Sequence, residues 1–249
     1  MTRPEKGVKG RRTSLVRRLL TGGAVAGPLF IGTFLAEGAT REGYDPVRHP
    51  VSGLALGPRG WQQTANFSVA GVLYLGFAAG MALLRDNQKG GTDDKSAGTK
   101  GTTDNGTTTS RVGPVLLGAS ALGLLGSAAF VTDPVSGYPP GTPDALTERT
   151  TTGGLHDLSA VPVFLGLPAA QLVYARAFYR AGRPGWAAYS AGSAAVMLSG
   201  MVLASSGFAQ VPRWVRFGGL FQRVAVASGL GWQTALAVQS LRAADPKQP

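Results

Sequence analysis

Two histidines and a few acidic residues are the side chains of this sequence best suited to chemistry. His49 and His156 are the only histidines, and Asp133, Asp157 and Glu37 lie, like them, close to long apolar runs. Two imidazoles and one carboxylate can hold a metal ion with an open position for water, as metal-dependent hydrolases do. The sequence therefore raises the hypothesis of a membrane-embedded hydrolase, with His49, His156 and Asp133 as candidate ligands.

The spacing of these residues argues against such a metal site. No His-Glu-x-x-His segment places two ligands on one helix face, and the absence of cysteine excludes thiolate ligands. His156 and Asp157 are adjacent, and adjacent residues on a helix do not face each other, so they make a poor acid–base pair. We assign no metal, cofactor or catalytic residue, and the sequence favours a role other than catalysis.

Three charged residues are placed where the local helix dipole disfavours them. Glu37 and Asp133 close two apolar runs, at helix C-termini that favour cations, and Arg223 opens another run, at an N-terminus that favours anions. Charges at membrane depth face the interior of a bundle and pair there. We expect Arg223 to reach one or both carboxylates, as a structural clasp, a binding site, or both.

The elements that must position these residues are six uncharged runs, each long enough to cross a bilayer. Of the residues, 44% are hydrophobic and only 15% charged, and the charges are bunched between the runs, which indicates an all-α integral membrane bundle. Small residues, as in GASALGLLGSAAF, allow the helices to pack closely. The predicted spans are 19–36, 64–84, 112–132, 158–175, 186–206 and 224–241.

The basic residues predict how this bundle sits in the membrane. Most of the 24 Lys and Arg precede the first span or follow the second, fourth and sixth. Because cytoplasmic segments are rich in Lys and Arg, both termini are predicted to be cytoplasmic, in a multi-pass protein of the cell membrane. This sorting explains the net charge of +11 better than nucleic-acid binding does, since the basic residues lie beside spans without interleaved aromatics.

Three segments are predicted to lie in the cytoplasm. Residues 1–18 form a basic tail and residues 242–249 a short second tail, while residues 86–110 hold one apolar side chain and are predicted to be a disordered loop. A cleaved signal peptide is the alternative for the N-terminus, but cleavage after Ala26 would leave too few apolar residues to span.

Residues 43–61, GYDPVRHPVSGLALGPRGW, form an unusual segment after the first span. Their prolines fix the backbone, their glycines permit tight turns, and their aromatic residues suit the headgroup level. Alternation of the spans places this segment outside, where we expect a rigid cap over the mouth of the bundle, with Tyr44, Asp45, Arg48 and His49 as its reactive or binding groups. An aspartate before a proline also commonly opens a turn, which is the simpler role for Asp45.

Several motifs resemble those of a known family. GYDPVRHPVSGLALGPRGWQQTANF, FVTDP, YPPGTP, LHDLSA and GLFQRVAV, in this order and spacing, resemble the bacterial and archaeal membrane family catalogued as domain of unknown function number 998. The resemblance extends from about Pro28 to Leu241 and implies a multi-span membrane protein without an established activity. Members of that family often carry a second histidine one turn after the position of His156, where this chain has Ser159 and Ala160. This departure argues further against a metal site.

The sequence leaves two main hypotheses for function. The first is an outward-facing polar cluster that binds a lipid headgroup or a small solute, or transports it. The second is a structural or accessory membrane scaffold whose charges only hold helices together. Apart from the lipid bilayer and such a ligand, no partner, cofactor or nucleic acid is predicted. The candidate binding residues are Glu37, Tyr44, Asp45, Arg48, His49, Asp133, His156, Asp157 and Arg223.

Overall fold

The chain folds into long α-helices, as predicted for an all-α protein. The computed structural model describes residues 3–90 and 111–244, and within them the side chains of 11–86 and 111–244. This part of the chain contains no β-strand. The helices are α1 (Arg3–Thr40), α2 (Gly60–Gly90), α3 (Val112–Ala129), α4 (Thr151–Val161), α5 (Leu167–Arg180), α6 (Pro184–Phe208) and α7 (Gly218–Ala243). A π-helical turn, Pro162–Gly166, joins α4 to α5, and a 3-10 turn, Val51–Ala55, lies between α1 and α2.

Five helical segments are long and apolar enough to cross a membrane: α1 from Arg11, α2 up to Asp86, α3, the joined α4 and α5, and α6. Helix α7 corresponds to the sixth predicted span and is also long, but it carries the buried polar residues Gln222, Arg223 and Gln233 and is less apolar. The described residues therefore support five to six helices of this kind.

Two predicted segments differ from the helices observed. Helix α1 extends back to Arg3, through the predicted basic tail. Helix α2 continues to Gly90, so residues 86–90 of the predicted disordered loop are helical. The rest of that loop, 91–110, lies outside the described residues, as does the end of the C-terminal tail. Polar residues continue α1 and α2 beyond their apolar runs, whereas α3 ends at Ala129, before the end of the predicted span 112–132.

The helices form a closed ring in chain order. Helix α1 packs against α2 and α7, α2 against α3, α3 against α4 and α5, and α6 against α5 and α7. Large side chains with no more than 1% exposure fill its interior, among them Phe34, Tyr74, Phe77, Tyr174 and Trp232. Residues 41–59, which connect α1 to α2, are named the cap segment here, and the end of the bundle that carries them is named the cap end.

Helices α4 and α5 have different neighbours because the π-helical turn redirects the chain between them. Helix α5 packs along α6, whereas α4 packs against α3 and makes no extensive contact with α6 among the described residues. The Ser120 hydroxyl donates to the carbonyl of Pro162 at 2.9 Å, and Gly123 and Gly126 allow α3 to approach Pro162 and Ser159 closely. Helix α4 therefore leans on α3 and leaves a gap towards α6 at the cap end.

The cap segment docks on the first turn of α7. The N–H groups of Gly219 and Leu220 donate to the carbonyls of Arg48 and Val47 at 3.1 and 2.8 Å. The first N–H groups of a helix have no partner within the helix, so these carbonyls complete the hydrogen bonding of α7. The predicted cap ended at residue 61, but its last two residues begin α2.

A side chain at position 219 should push the cap segment away from α7. A Cβ on Gly219 would collide with the carbonyl oxygens of His49 and Pro46. We expect Gly219→Ala to destabilise the protein by about 1–3 kcal/mol, as overpacking does, and to lower the Tm in detergent. Gly231→Ala is the matched control on the same helix, because a Cβ there meets nothing within 4 Å, and its Tm should be unchanged or higher. Equal losses in both variants would contradict the docking described here.

Candidate ligand-binding site

Arg223 is a buried cation whose hydrogen-bond partners are uncharged oxygens. Its side chain reaches from α7 into the cap segment, where Nη1 donates to the carbonyl of His49 at 2.9 Å and Nη2 to the hydroxyl of Tyr44 at 2.6 Å. Nη1 also donates to the carbonyl of Gly219 at 3.0 Å, and the guanidinium lies 5.8 Å from the ring centroid of Phe34. A buried charge is costly unless it is hydrogen-bonded, so the folded cap segment solvates Arg223.

Tyr44 links this cation to the backbone of the cap segment. Its hydroxyl accepts from Arg223 and lies 2.8 Å from the carbonyl of Pro50, to which it donates. Burial raises the pKa of Tyr44 to about 12, although the Arg223 guanidinium acts in the opposite direction. The hydroxyl therefore stays protonated and keeps its donor role.

Glu37 is paired with two arginines close to it rather than with Arg223, which corrects the expectation from sequence. Its Oε2 accepts from Arg41 at 2.7 Å and its Oε1 from Arg59 at 2.8 Å. Arg41 follows Glu37 by one helical turn and also donates to the carbonyls of Leu56 and Arg59. The carboxylate at the end of α1 is thus compensated locally, and it ties the start of the cap segment to its end.

Asp133 binds Thr150, the N-cap residue of α4, so the prediction that Arg223 would compensate it is also wrong. Helix α3 ends at Ala129, so Asp133 lies beyond it and next to the N-terminus of α4. Its two oxygens accept from the N–H of Thr150 at 3.0 Å and from the Thr150 hydroxyl at 2.6 Å. A carboxylate is favoured at a helix N-terminus, so Asp133 needs no cation from across the bundle.

Asp45 and Arg48 shape the cap segment and connect it to the loop between α3 and α4. The Oδ1 of Asp45 accepts from the N–H of Val47 at 2.8 Å, which is the simpler, turn-opening role considered for this residue. Arg48 forms an ion pair with Asp144 of that loop at 2.7 Å. Both side chains therefore have partners within the protein.

The ring of His49 is fixed inside the cap segment. Its Nδ1 accepts from the N–H of Asp45 at 2.9 Å, so in the neutral ring the proton is on Nε2. The ring lies 5.3 Å from the rings of both Tyr44 and Tyr138. Burial lowers the pKa of His49, the Asp45 carboxylate opposes this shift, and Arg48 adds to it. His49 therefore favours the neutral form in the folded protein.

His156 lines a cavity at the cap end, and a backbone carbonyl binds one of its two ring nitrogens. Its side chain is buried, and Nδ1 lies 2.8 Å from the carbonyl oxygen of Phe130. Because a carbonyl only accepts hydrogen bonds, Nδ1 carries the proton and Nε2 keeps its lone pair in the neutral ring. No second hydrogen bond to the ring comes from the described residues. Nε2 is therefore the group that His156 offers to a ligand.

The cavity has a volume of about 680 Å³ and lies in the middle of the helix ring, beneath the cap segment. Its walls are mainly apolar and include Phe30, Phe67, Leu124, Val163, Met197 and Leu230. Polar and charged side chains at its cap end include Thr132, Asp133, Arg149, His156 and Asp157. Arg149 and Asp157 form an exposed ion pair at 3.0 Å. The cavity thus combines a charged mouth with an apolar interior.

One side of the cavity reaches the outer surface of the bundle between α4 and α6. Val161 and Leu165 line the cavity, yet 46% and 61% of their surfaces are exposed. Met201 and Ser205 line it from α6 on the opposite side of the gap. The opening lies where α4 leans towards α3, so it follows from the redirection of the chain at the π-helical turn.

The two histidines do not share a site. The backbone N–H of Asp45 binds the ring of His49 inside the cap segment, whereas the carbonyl of Phe130 binds the ring of His156. Of the two histidines, only His156 is among the described residues that line the cavity. Among the described residues there is also no group of three or more His, Asp or Glu that could hold a metal ion. The hypothesis of a metal-dependent hydrolase thus finds no support in the geometry.

Several residues of the site were not singled out from the sequence. Arg41 could have been, because it follows Glu37 by four positions, the spacing of a helical ion pair. Arg59 and Tyr138 carry no such local signal, since their partners are distant in the chain. Gln222, whose Oε1 accepts from the N–H of Val51 at 2.7 Å, also lines the cavity.

These observations define a class of protein: a bundle of α-helices, several of them long and apolar enough to cross a membrane, with a capped cavity at one end. The chain matches the family described as "Protein of unknown function (DUF998)" over residues 24–92 and 99–239, and it belongs to that family. The resemblance found in the sequence motifs is thereby confirmed. Comparisons with curated proteins and with solved structures found no match.

Removing the charge of Glu37 should destabilise the cap end. The Glu37→Gln variant would leave Arg41, whose side chain is 6% exposed, without its carboxylate. We expect a loss of about 3–5 kcal/mol, the usual cost of breaking a buried ion pair, and a clearly lower Tm. Asp157→Asn is the control, because its pair with Arg149 is exposed and should contribute no more than about 1 kcal/mol. Similar Tm values for Glu37→Gln and wild type would show that the ion pairs of Glu37 with Arg41 and Arg59 contribute little to stability.

The lowered pKa of His49 predicts that stability falls in mild acid. Above its ordinary pKa of 6.5, His49 is neutral in both states and its contribution is complete. Below that pH the unfolded chain binds a proton that the folded protein resists, so stability is lost until the folded-state pKa is reached. We expect the wild-type Tm to fall more steeply between about pH 7 and about pH 5 than the Tm of His49→Asn, whose amide oxygen can still accept from Asp45. Parallel pH profiles would contradict this assignment.

Proposed function

We propose that the chain is a multi-pass membrane protein whose cavity binds an amphipathic ligand, such as a lipid, with its polar head at the cap end. One observation carries this proposal: an apolar cavity of about 680 Å³ opens between α4 and α6 and has His156 and charged residues at its mouth. Its volume falls within the roughly 300–1,000 Å³ of ligand sites, which combine apolar walls with a few placed polar groups. A lipid headgroup with part of its chain matches this distribution better than a fully polar solute.

The distribution of basic residues supports an orientation with the cap end outside the cell. The segments at the opposite end of the bundle carry most of the Lys and Arg, which favours a cytoplasmic location for that end and for both termini. Under this orientation the cavity lies in the outer half of the cell membrane. The ligand would then come from the outer leaflet.

The packing below the cavity supports binding rather than transport. Met197, Val163 and Leu230 form its apolar lower wall. At this wall Met197, together with Leu167, lies against Gly229, where α5, α6 and α7 meet. A transport path would have to continue through this packed region, whereas a binding site requires no such path.

The arginine contacts favour a scaffold as the second candidate. Arg41, Arg59 and Arg223 all have hydrogen-bond partners within the protein, which is typical of a structural clasp. A scaffold needs these contacts but no accessible cavity. Filling the cavity therefore distinguishes the two candidates.

A large side chain inside the cavity should displace the ligand. Ala160 lines the cavity and is half-buried, so Ala160→Trp would occupy part of its volume. Ala195 is exposed on α6 and is not among the cavity-lining residues, so Ala195→Trp is a control of equal size change. Native mass spectrometry of protein released from lipid nanodiscs would measure the retained lipid.

We expect wild type and Ala195→Trp to retain a bound lipid and Ala160→Trp to lose it by about tenfold or more, which corresponds to about 1.4 kcal/mol of binding free energy. The Tm of each variant would show that it is folded. Equal retention in all three proteins would reject the cavity as a ligand site and favour the scaffold.

A further inference from the structure

We infer that the head of the ligand carries a hydrogen-bond donor, a hydroxyl or an ammonium, which donates to Nε2 of His156. The inference rests on the proposed function, because it names the chemical class of ligand that the same cavity takes. The observations that support it are the fixed tautomer of His156, the charges at the mouth and the position of the opening.

The protein itself determines which hydrogen bond His156 can make with a ligand. The Phe130 carbonyl accepts from Nδ1, so the neutral ring has one nitrogen left, and that nitrogen is an acceptor. The side chain is buried with only 5% exposure, and it lines the cavity. A hydroxyl or ammonium group can satisfy this acceptor. A sulfate or an ionised carboxylate offers only acceptors and cannot.

The charged residues around the cavity disfavour an anionic head. Asp133 and Asp157 line it, and Arg149 is the single cation among the lining residues that the structure describes. Arg149 is already paired with Asp157, so no arginine or lysine among the lining residues described is left to pair with an anionic head. The nearby Arg223 is bound by the cap segment and is not among the lining residues described. The mouth therefore favours a neutral or positively charged head.

The open side of the cavity explains why the ligand should have an apolar chain. Val161 and Leu165 on one side and Met201 on the other form an apolar gap between α4 and α6. A chain placed along this gap would keep apolar contact when it leaves the bilayer, while the head lies roughly one to two and a half turns nearer the cap end, at His156. The combination specifies a donor-headed amphiphile.

The test compares ligands that differ only in their heads. Hexadecanol, hexadecylamine and hexadecyl sulfate have the same chain and would be titrated against the full-length protein in nanodiscs, with binding measured by native mass spectrometry at neutral pH. We expect the alcohol and the amine to bind about tenfold tighter than the sulfate, whose head has no donor; this is the scale set by one hydrogen bond to a buried acceptor. If the amine binds more tightly than the alcohol, the carboxylates at the mouth contribute to the preference. If the two bind equally, the hydrogen bond alone accounts for it.

Two variants separate this inference from the proposed function. His156→Phe keeps an aromatic ring but removes the acceptor, so the preference for alcohol and amine over sulfate should disappear. Sulfate binding as tight as alcohol binding in the wild type, or a preference that persists in a folded His156→Phe, would overturn the inference. The wild-type comparison decides the matter even where His156→Phe does not fold. If wild type binds the three ligands equally and Ala160→Trp binds none of them, this inference alone is overturned. If Ala160→Trp binds all three as tightly as wild type does, the proposed function is overturned as well.

Discussion

The buried charge of Arg223 constrains the whole cap end of the bundle. Within the described residues it forms no ion pair with a carboxylate, so neutral oxygens from the cap segment, the carbonyl of His49 and the hydroxyl of Tyr44, must solvate it. Those oxygens are in place only when the cap segment is folded against α7. The same contact completes the first turn of α7 and holds the 3-10 turn over the cavity. One buried cation thus couples the position of α7 to the roof of the cavity.

The cavity depends on a second feature, the different course of α4 and α5. A continuous straight helix would pack against α6 along its whole length, as α5 does. The π-helical turn at Pro162 lets the two halves take different neighbours, and Gly123 and Gly126 make room for α4 on α3. The gap that opens towards α6 is therefore built into the backbone. The Ser120 hydroxyl, which donates to the carbonyl of Pro162, stabilises the turn without closing the gap.

The sequence predicted the helices better than it predicted their contacts. Long apolar runs identify helices because each run must be buried or face lipid. The all-helical class and the approximate positions of the helices therefore follow from the order of apolar and polar residues along the chain. The error at Asp133 arose because α3 ends at Ala129, before its apolar run ends. Asp133 therefore lies beside the positive N-terminus of α4 and not at the negative C-terminus of α3. His49 and Tyr44, the cap-segment partners of Arg223, lie about 175 positions away in the chain. Helical periodicity predicts which face of a helix is buried but not which residues pack against that face. Only the Glu37–Arg41 pair could have been predicted from sequence spacing, because its two residues lie four positions apart on one helix.

The contacts also change which residues are available to a ligand. A charged side chain attracts attention in a sequence, but Glu37, Asp133 and Arg223 use their hydrogen-bonding groups within the protein. His156 differs because a backbone carbonyl occupies one of its two nitrogens and orients the other. A buried acceptor with a fixed orientation discriminates between ligand heads more strongly than an exposed charge does, since an unmatched head leaves the acceptor without a hydrogen bond. The side chain of His156 is therefore the polar group of the cap end that stays available, while Glu37, Asp133 and Arg223 maintain the architecture around it.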